Sequence, residues 1–234
     1  MKLRVLLASI AMFFNSMAIA APDWLRDGRI GGTSISSSMN QSELIALIDQ
    51  RASENVSVLE LDSRLSEYLT DAEFDVEVAF IDRAAELAHE RGLKAVIYYP
   101  GLEVLTQNGV NLASTMYKDH PEWIQKGIGG APNVFYGNQE VWVDPNAESA
   151  WLSPNTGYLD YFLERIAKLA ATDVDGVWVD VPIYLETGAG WAGAEPEAAA
   201  DFTAWTIAEG LNPPNGYTVP SSADFNSPAF RSWV

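Results

Sequence analysis

Gly176-Val177-Trp178-Val179-Asp180-Val181-Pro182 is the stretch whose reading decides the fold. Three valines alternate with Trp178, Asp180 and Pro182, the period of a β-strand. Val177, Val179 and Val181 therefore share one face and suit packing against helices. Trp178 and Asp180 share the other, and Asp180 stands at the C-terminal end of the strand.

Working outward from this run, strands and helices alternate. Residues 158–171 carry the helical period, with Pro154 where a helix could start. Residues 93–99 form a strand ended by Pro100-Gly101, preceded by an amphipathic helix over 76–91 that stops at Gly92. Residues 56–62 form another strand, and 29–36 a weak one rich in Gly and Ser. Between these two, Asn40 and Glu43 make a capping box for a helix whose core face is Leu44, Leu47 and Ile48. Residues 102–153 read as a long loop. Downstream, 197–209 form a short helix inside a second long loop, and Ser227-Pro228 opens one more helix.

Four strands alternating with helices imply parallel pairing through crossovers. A barrel and an open doubly wound sheet both satisfy that pattern. The first strand lacks the glycine-rich phosphate loop of dinucleotide folds. The long aromatic loops all follow strand C-termini, while returns such as Gly92 are tight, as in a barrel with one functional rim. A complete (β/α)₈ barrel takes roughly 250 residues, and four units occupy the whole of 21–234. The expectation is an α/β fold of TIM-barrel type, represented by its first four βα units. A half-barrel that dimerises is the alternative.

Glu60 and Asp62 share the face of the second strand that corresponds to Trp178 and Asp180. The third strand ends in Tyr98, Tyr99 and Pro100, with Glu103 just beyond. A parallel barrel gathers these ends at one rim, so Asp62, Asp180, both tyrosines and Glu103 are expected around one cleft. Glu60, deeper in the strand, can equally be a structural ion-pair partner, since buried acids are usually paired. Trp178 reads more readily as packing than as a substrate contact. The loops also carry Tyr117, Trp123, Phe135, Tyr136, Trp142, Trp151, Tyr184 and Trp191, rings that suit the C–H face of a sugar. Many of them would serve only to pin the loops to the barrel.

Paired carboxylates fit glycoside hydrolysis, one as nucleophile or base and the other as proton donor. Only two histidines are present, His89 and His120, with no Cys and no His-x-x-x-His, so transition-metal chemistry has little support. No Gly-x-Ser-x-Gly supports a serine hydrolase. The acidic loops leave an oxygen-only Ca²⁺ site open; no cofactor is expected.

The chain begins with basic Lys2 and Arg4, an apolar run over 5–14, and Ala18-Ile19-Ala20. This is the layout of a secretory signal peptide cut after Ala20, its apolar run shorter than the roughly 20 residues of a membrane span. A retained N-terminal anchor is the alternative. The protein is then secreted or periplasmic, with no membrane partner after cleavage. Fourteen Lys+Arg against 32 Asp+Glu give a net charge of −18, which becomes −20 without Lys2 and Arg4. That excess repels phosphate backbones and disfavours nucleic acid as a partner. Without cysteine, an exported chain depends on its core, which 48% hydrophobic residues can supply.

Three motifs in order carry a family resemblance: His120-Pro-Glu-Trp123, Trp151-Leu-Ser-Pro-Asn155 and Asp175-Gly-Val-Trp-Val-Asp180. The sequence over 93–234 resembles the glycosyl-hydrolase-like TIM-barrel families, in which a HPEW loop and a strand-four DG-x-x-x-D recur. The resemblance implies a carbohydrate substrate. It also implies a role for Asp180 as nucleophile or substrate-binding carboxylate, its partner acid coming from a later strand. Asp180 is accordingly the catalytic candidate. The substrate-contact candidates are Asp62, Glu60, Tyr98, Tyr99, Glu103, His120, Trp123, Trp178 and Tyr184. The expected function is a secreted glycoside hydrolase, this chain being an inactive N-terminal part of one. The rival is a non-catalytic carbohydrate-binding barrel.

Overall fold

The computed structural model describes residues 21–185 and 190–234. The signal-peptide reading falls on 1–20, outside the described residues. In chain order the elements are α1 (Asp23–Arg26), β1 (Ile30–Ser34), α2 (Gln41–Ser53), β2 (Val58–Asp62), α3 (Asp71–His89) and β3 (Lys94–Pro100). There follow β4 (Glu103–Thr106), α4 (Met116–Asp119), β5 (Val134–Tyr136), β6 (Glu148–Trp151) and α5 (Tyr158–Leu169). The last are β7 (Gly176–Asp180), α6 (Pro196–Ala208) and α7 (Pro228–Trp233). Among the described residues no helix is long and apolar enough to cross a membrane.

The helices start where side chains satisfy their free N–H groups. Asn40 Oδ1 accepts from the backbone N–H of Ser42 and Glu43, while Glu43 accepts from Asn40 N–H. Thr70 and Glu73 repeat the device on α3, which therefore begins at Asp71, five residues before the start expected from its apolar period. At the other end Gly92 takes a φ of +74°, the left-handed turn expected there.

β1, β2, β3 and β7 form one parallel sheet in that order. Leu59, Leu61, Ala95, Ile97 and Tyr99 lie on one face and are buried under α2, α3 and α5, against Leu44, Ile48, Phe74, Ile81 and Leu169. Each such aliphatic side chain contributes about 1.5–3 kcal/mol by leaving water. The opposite face carries Glu60, Asp62, Val96, Tyr98, Trp178 and Asp180, in register across the strands. The architecture is thus α/β with a parallel sheet.

Two expectations are corrected. The segment 102–153 is not a plain loop, because β4, β6 and β5 pair there as an antiparallel sheet. Its strands are three or four residues long, and β6 is buried at every position, so no alternation marks it. The strand that opened the argument is also less buried than its valines suggest. β7 pairs only with β3 among the described residues, leaving Trp178 48% and Val179 38% exposed. Val181 lies past the strand with a φ of +46° and turns away from the helices.

Asp175, just before β7, ties the sheet to α3. It accepts from Lys94 Nζ at 2.6 Å and from Ala95 N–H at 2.9 Å, and pairs with His89 Nε2 at 2.8 Å. Burial raises its carboxyl, but these three partners outweigh burial and hold it below the usual range. A folded-state value below the unfolded one adds stability above the unfolded titration, lost as pH falls through the folded one. Acid unfolding followed by circular dichroism should thus show Asp175→Asn less stable than wild type at neutral pH. The gap should close below about pH 4, near the ordinary aspartate value; a gap constant down to pH 2 would remove this anchor.

Candidate functional site

The C-terminal ends of β2, β3 and β7 open on a cleft of about 550 Å³. Its wall includes Asp62, Tyr98, Glu103, Trp142, Trp151 and Asp180. No Lys, Arg or His lines it among the described residues. Parallel register explains the gathering, because β3 pairs Tyr98 with Trp178 and Pro100 with Asp180. The antiparallel sheet adds the other wall, since Glu103 and Leu105 alternate toward the cleft while Val104 packs in a core with Met116 and Ile124.

Asp180 is held from two sides. Its Oδ1 accepts from Val181 N–H at 2.8 Å and its Oδ2 from the Tyr98 hydroxyl at 3.2 Å. Its carbonyl accepts from Gly101 N–H at 2.7 Å, which locks the strand end to the turn after β3. Val181 itself is a β-branched residue in the left-handed region, a costly conformation kept in place by its packing on the cluster of Phe135, Val143 and Trp151. Strain thus sits one residue from the best-placed acid. Burial and the Asp180 charge push the Tyr98 hydroxyl up, so it stays a proton donor to that carboxylate.

Glu103 is fixed differently. Its Oε1 accepts from Ser149 Oγ at 2.6 Å and Trp142 Nε1 at 2.8 Å. Ser149 in turn accepts from Trp151 Nε1 at 3.1 Å, so both indoles of the cleft serve this one carboxylate. Burial raises the Glu103 carboxyl, the two donors lower it, and the Asp180 charge raises it again; the balance is upward. Asp62 keeps solvent contact and is raised by partial desolvation.

The remaining candidates lie elsewhere. Tyr99 points to the opposite face of β3, 4% exposed and stacked on Phe162 at 5.2 Å, so it is a core residue. Glu60 and Trp178 line an apolar recess below the cleft with Ile30 and Val96. There Trp178 meets Tyr98 edge-on at 6.0 Å, and burial together with the Asp62 charge raises Glu60. His120 stacks flat on Trp123 at 3.7 Å in a separate hollow beside Tyr161 and Arg165. Tyr184 accepts from Asn155 Nδ2 at 2.6 Å in a third hollow with Trp191 and Trp233. Conversely, Trp142 and Trp151 line the cleft, and Ser149 supports Glu103 from behind, although only Trp151 falls in a quoted motif and Trp142 is marked by its aromatic character alone. Among the described residues no group of three or more His, Cys, Asp or Glu is placed to hold a metal.

No family model matches the sequence, and no curated protein matches it. Among solved structures, an α-galactosidase from Thermus thermophilus in complex with stachyose is similar with a TM-score of 0.43 and 16% identity, over 73% of this chain and 36% of that one. A noncanonic maltogenic α-amylase from Thermotoga neapolitana gives 0.43 and 16%, over 69% and 40%. A β-galactosidase from the Antarctic haloarchaeon Halorubrum lacusprofundi gives 0.48 and 15%, over 77% and 25%. The chain spans between a quarter and two fifths of the length of these three similar structures.

Proposed function

We propose that the cleft is the sugar site of a glycoside hydrolase, with Asp180 as nucleophile or base and Asp62 holding substrate hydroxyls. One observation carries this reading. Three carboxylates and two indoles converge on a single cleft, and among the described residues no cation is there to neutralise the acids. Glycoside hydrolysis uses that set: carboxylates for proton and nucleophile work, aromatic faces for the sugar ring. A purely structural acid cluster would be expected to carry Arg or Lys partners.

The uncovered sheet face supports a barrel of which this chain supplies four units. On that face Ile30 is 62% and Trp178 48% exposed, and the outer edge of β7 has no partner among the described residues. A fifth parallel strand on that edge would pair it and shield Trp178.

The test, made on the protein with its barrel completed by the remaining βα units, is release of reducing ends from a polysaccharide panel and of aryl groups from p-nitrophenyl α- and β-glycosides. Turnover on at least one substrate class is expected. Saturable binding of a glycan with no turnover would replace this reading by the non-catalytic carbohydrate-binding one.

A further inference from the structure

We infer that Glu103 is the proton donor of this cleft, working opposite Asp180. The inference rests on the hydrolase reading and adds the second reacting carboxyl, for which the family resemblance implies a strand after β7. Four features taken together mark Glu103. It lines the same cleft as Asp180. It stands on β4, fixed by pairing with β6, so its position does not depend on a free loop. Both of its donors, Ser149 Oγ and Trp142 Nε1, bind Oε1. Among the described residues no bond to Oε2 is present, which leaves that oxygen to carry a proton into the cleft.

The environment sorts the roles. Asp180 has a donor on each oxygen, Val181 N–H and the Tyr98 hydroxyl, which fixes its orientation in the cleft. Burial and the Asp180 charge favour the protonated form of Glu103. One carboxylate held by donors on both oxygens and a second carboxyl with, among the described residues, one oxygen unbonded in the same cleft are the pattern of a base and an acid. Asp62 is solvent-exposed and, among the described residues, lacks the supporting donors that orient Glu103.

In the reaction the bond between the anomeric carbon and the leaving oxygen breaks with its electron pair on that oxygen, which takes the Glu103 proton. Asp180 either attacks the anomeric carbon, and water then displaces it so that the bond from Asp180 to that carbon breaks and the carboxylate is freed, or it removes a proton from a water that attacks the carbon directly. That water supplies the new hydroxyl, and its other proton restores Glu103, directly or through solvent. One water is consumed and no other reactant is needed.

Leaving-group dependence tests the assignment. 2,4-Dinitrophenolate leaves without protonation, whereas 4-methoxyphenolate needs a proton. Glu103→Gln should keep turnover of dinitrophenyl glycosides within about tenfold and lose about 10²-fold or more on methoxyphenyl glycosides. Azide should restore turnover of the dinitrophenyl substrates by Glu103→Ala. A readout without substrate is ¹³C NMR of glutamate δ-carboxyls, the Glu103 signal being the one missing in Glu103→Gln. Its midpoint should lie above that of an ordinary glutamate and fall in Asp180→Asn. Equal losses on both leaving groups, or an ordinary midpoint, would overturn the proton-donor role and leave Asp180 in place. Absence of turnover by wild type on every glycoside would overturn the hydrolase reading, and the role of Glu103 with it.

Discussion

Asp180→Asn should reduce hydrolysis by about 10³-fold or more while the protein stays folded. The substitution keeps the shape of the side chain and removes its charge and its basicity. An amide oxygen can still accept from Val181 N–H, as Oδ1 does at 2.8 Å. The amide nitrogen then faces Tyr98, whose hydroxyl can rotate from donor to acceptor. The backbone bond from Gly101 N–H to the Asp180 carbonyl is untouched. Little in the fold depends on the charge, so the melting temperature should stay within a few degrees. The chemistry depends on it wholly, because an amide neither attacks an anomeric carbon nor takes a proton from water. Turnover and thermal unfolding of the same preparation decide the matter. Wild-type turnover by Asp180→Asn would remove Asp180 from the mechanism, whereas loss of folding would reassign it to support of the β3–β7 turn.

How much of this was legible in the sequence follows from which signals are local. The four parallel strands and the helices between them were readable, because their periodicity and caps are written in contiguous residues: Asn40 with Glu43, Gly92, the valines of β7. Asp62, Glu103, Tyr98 and Asp180 were readable as neighbours, because parallel register carries every strand C-terminus to one rim. The antiparallel sheet was not, because β5 and β6 are too short for a period and β6 is buried on both faces. With it were lost the roles of Trp142 and Ser149, which reach Glu103 only once β4 and β6 are paired. His120 and Trp123 form a motif in sequence, yet their own stacking and the hollow beside Arg165 keep them from the Asp180 cleft. A motif fixes local order, and only tertiary contacts decide which cavity it faces.

Tyr98 and Tyr99 give the sharpest test of that distinction, since adjacent identical residues should respond in opposite ways. Alternation along β3 sends Tyr98 to the cleft and Tyr99 to the helices. Tyr99 is 4% exposed, stacked on Phe162 and tilted against Phe74 at 6.2 Å. Removing its ring leaves a cavity that the packed α3 and α5 cannot close. Tyr99→Ala should therefore cost about 3–5 kcal/mol of unfolding free energy, roughly 6–20 °C in melting temperature for a domain of this size. Tyr98→Phe removes one hydroxyl from a half-buried ring that keeps its edge contact with Trp178. Its stability should stay within about 1 kcal/mol of wild type. Hydrolysis should nonetheless fall by about tenfold, because Asp180 loses the donor that fixes its Oδ2. Urea unfolding and initial rates on one glycoside measure both effects. If Tyr99→Ala were mild in stability but severe in turnover, the assignment of faces on β3 would be inverted, and the cleft would have to be rebuilt around the other tyrosine.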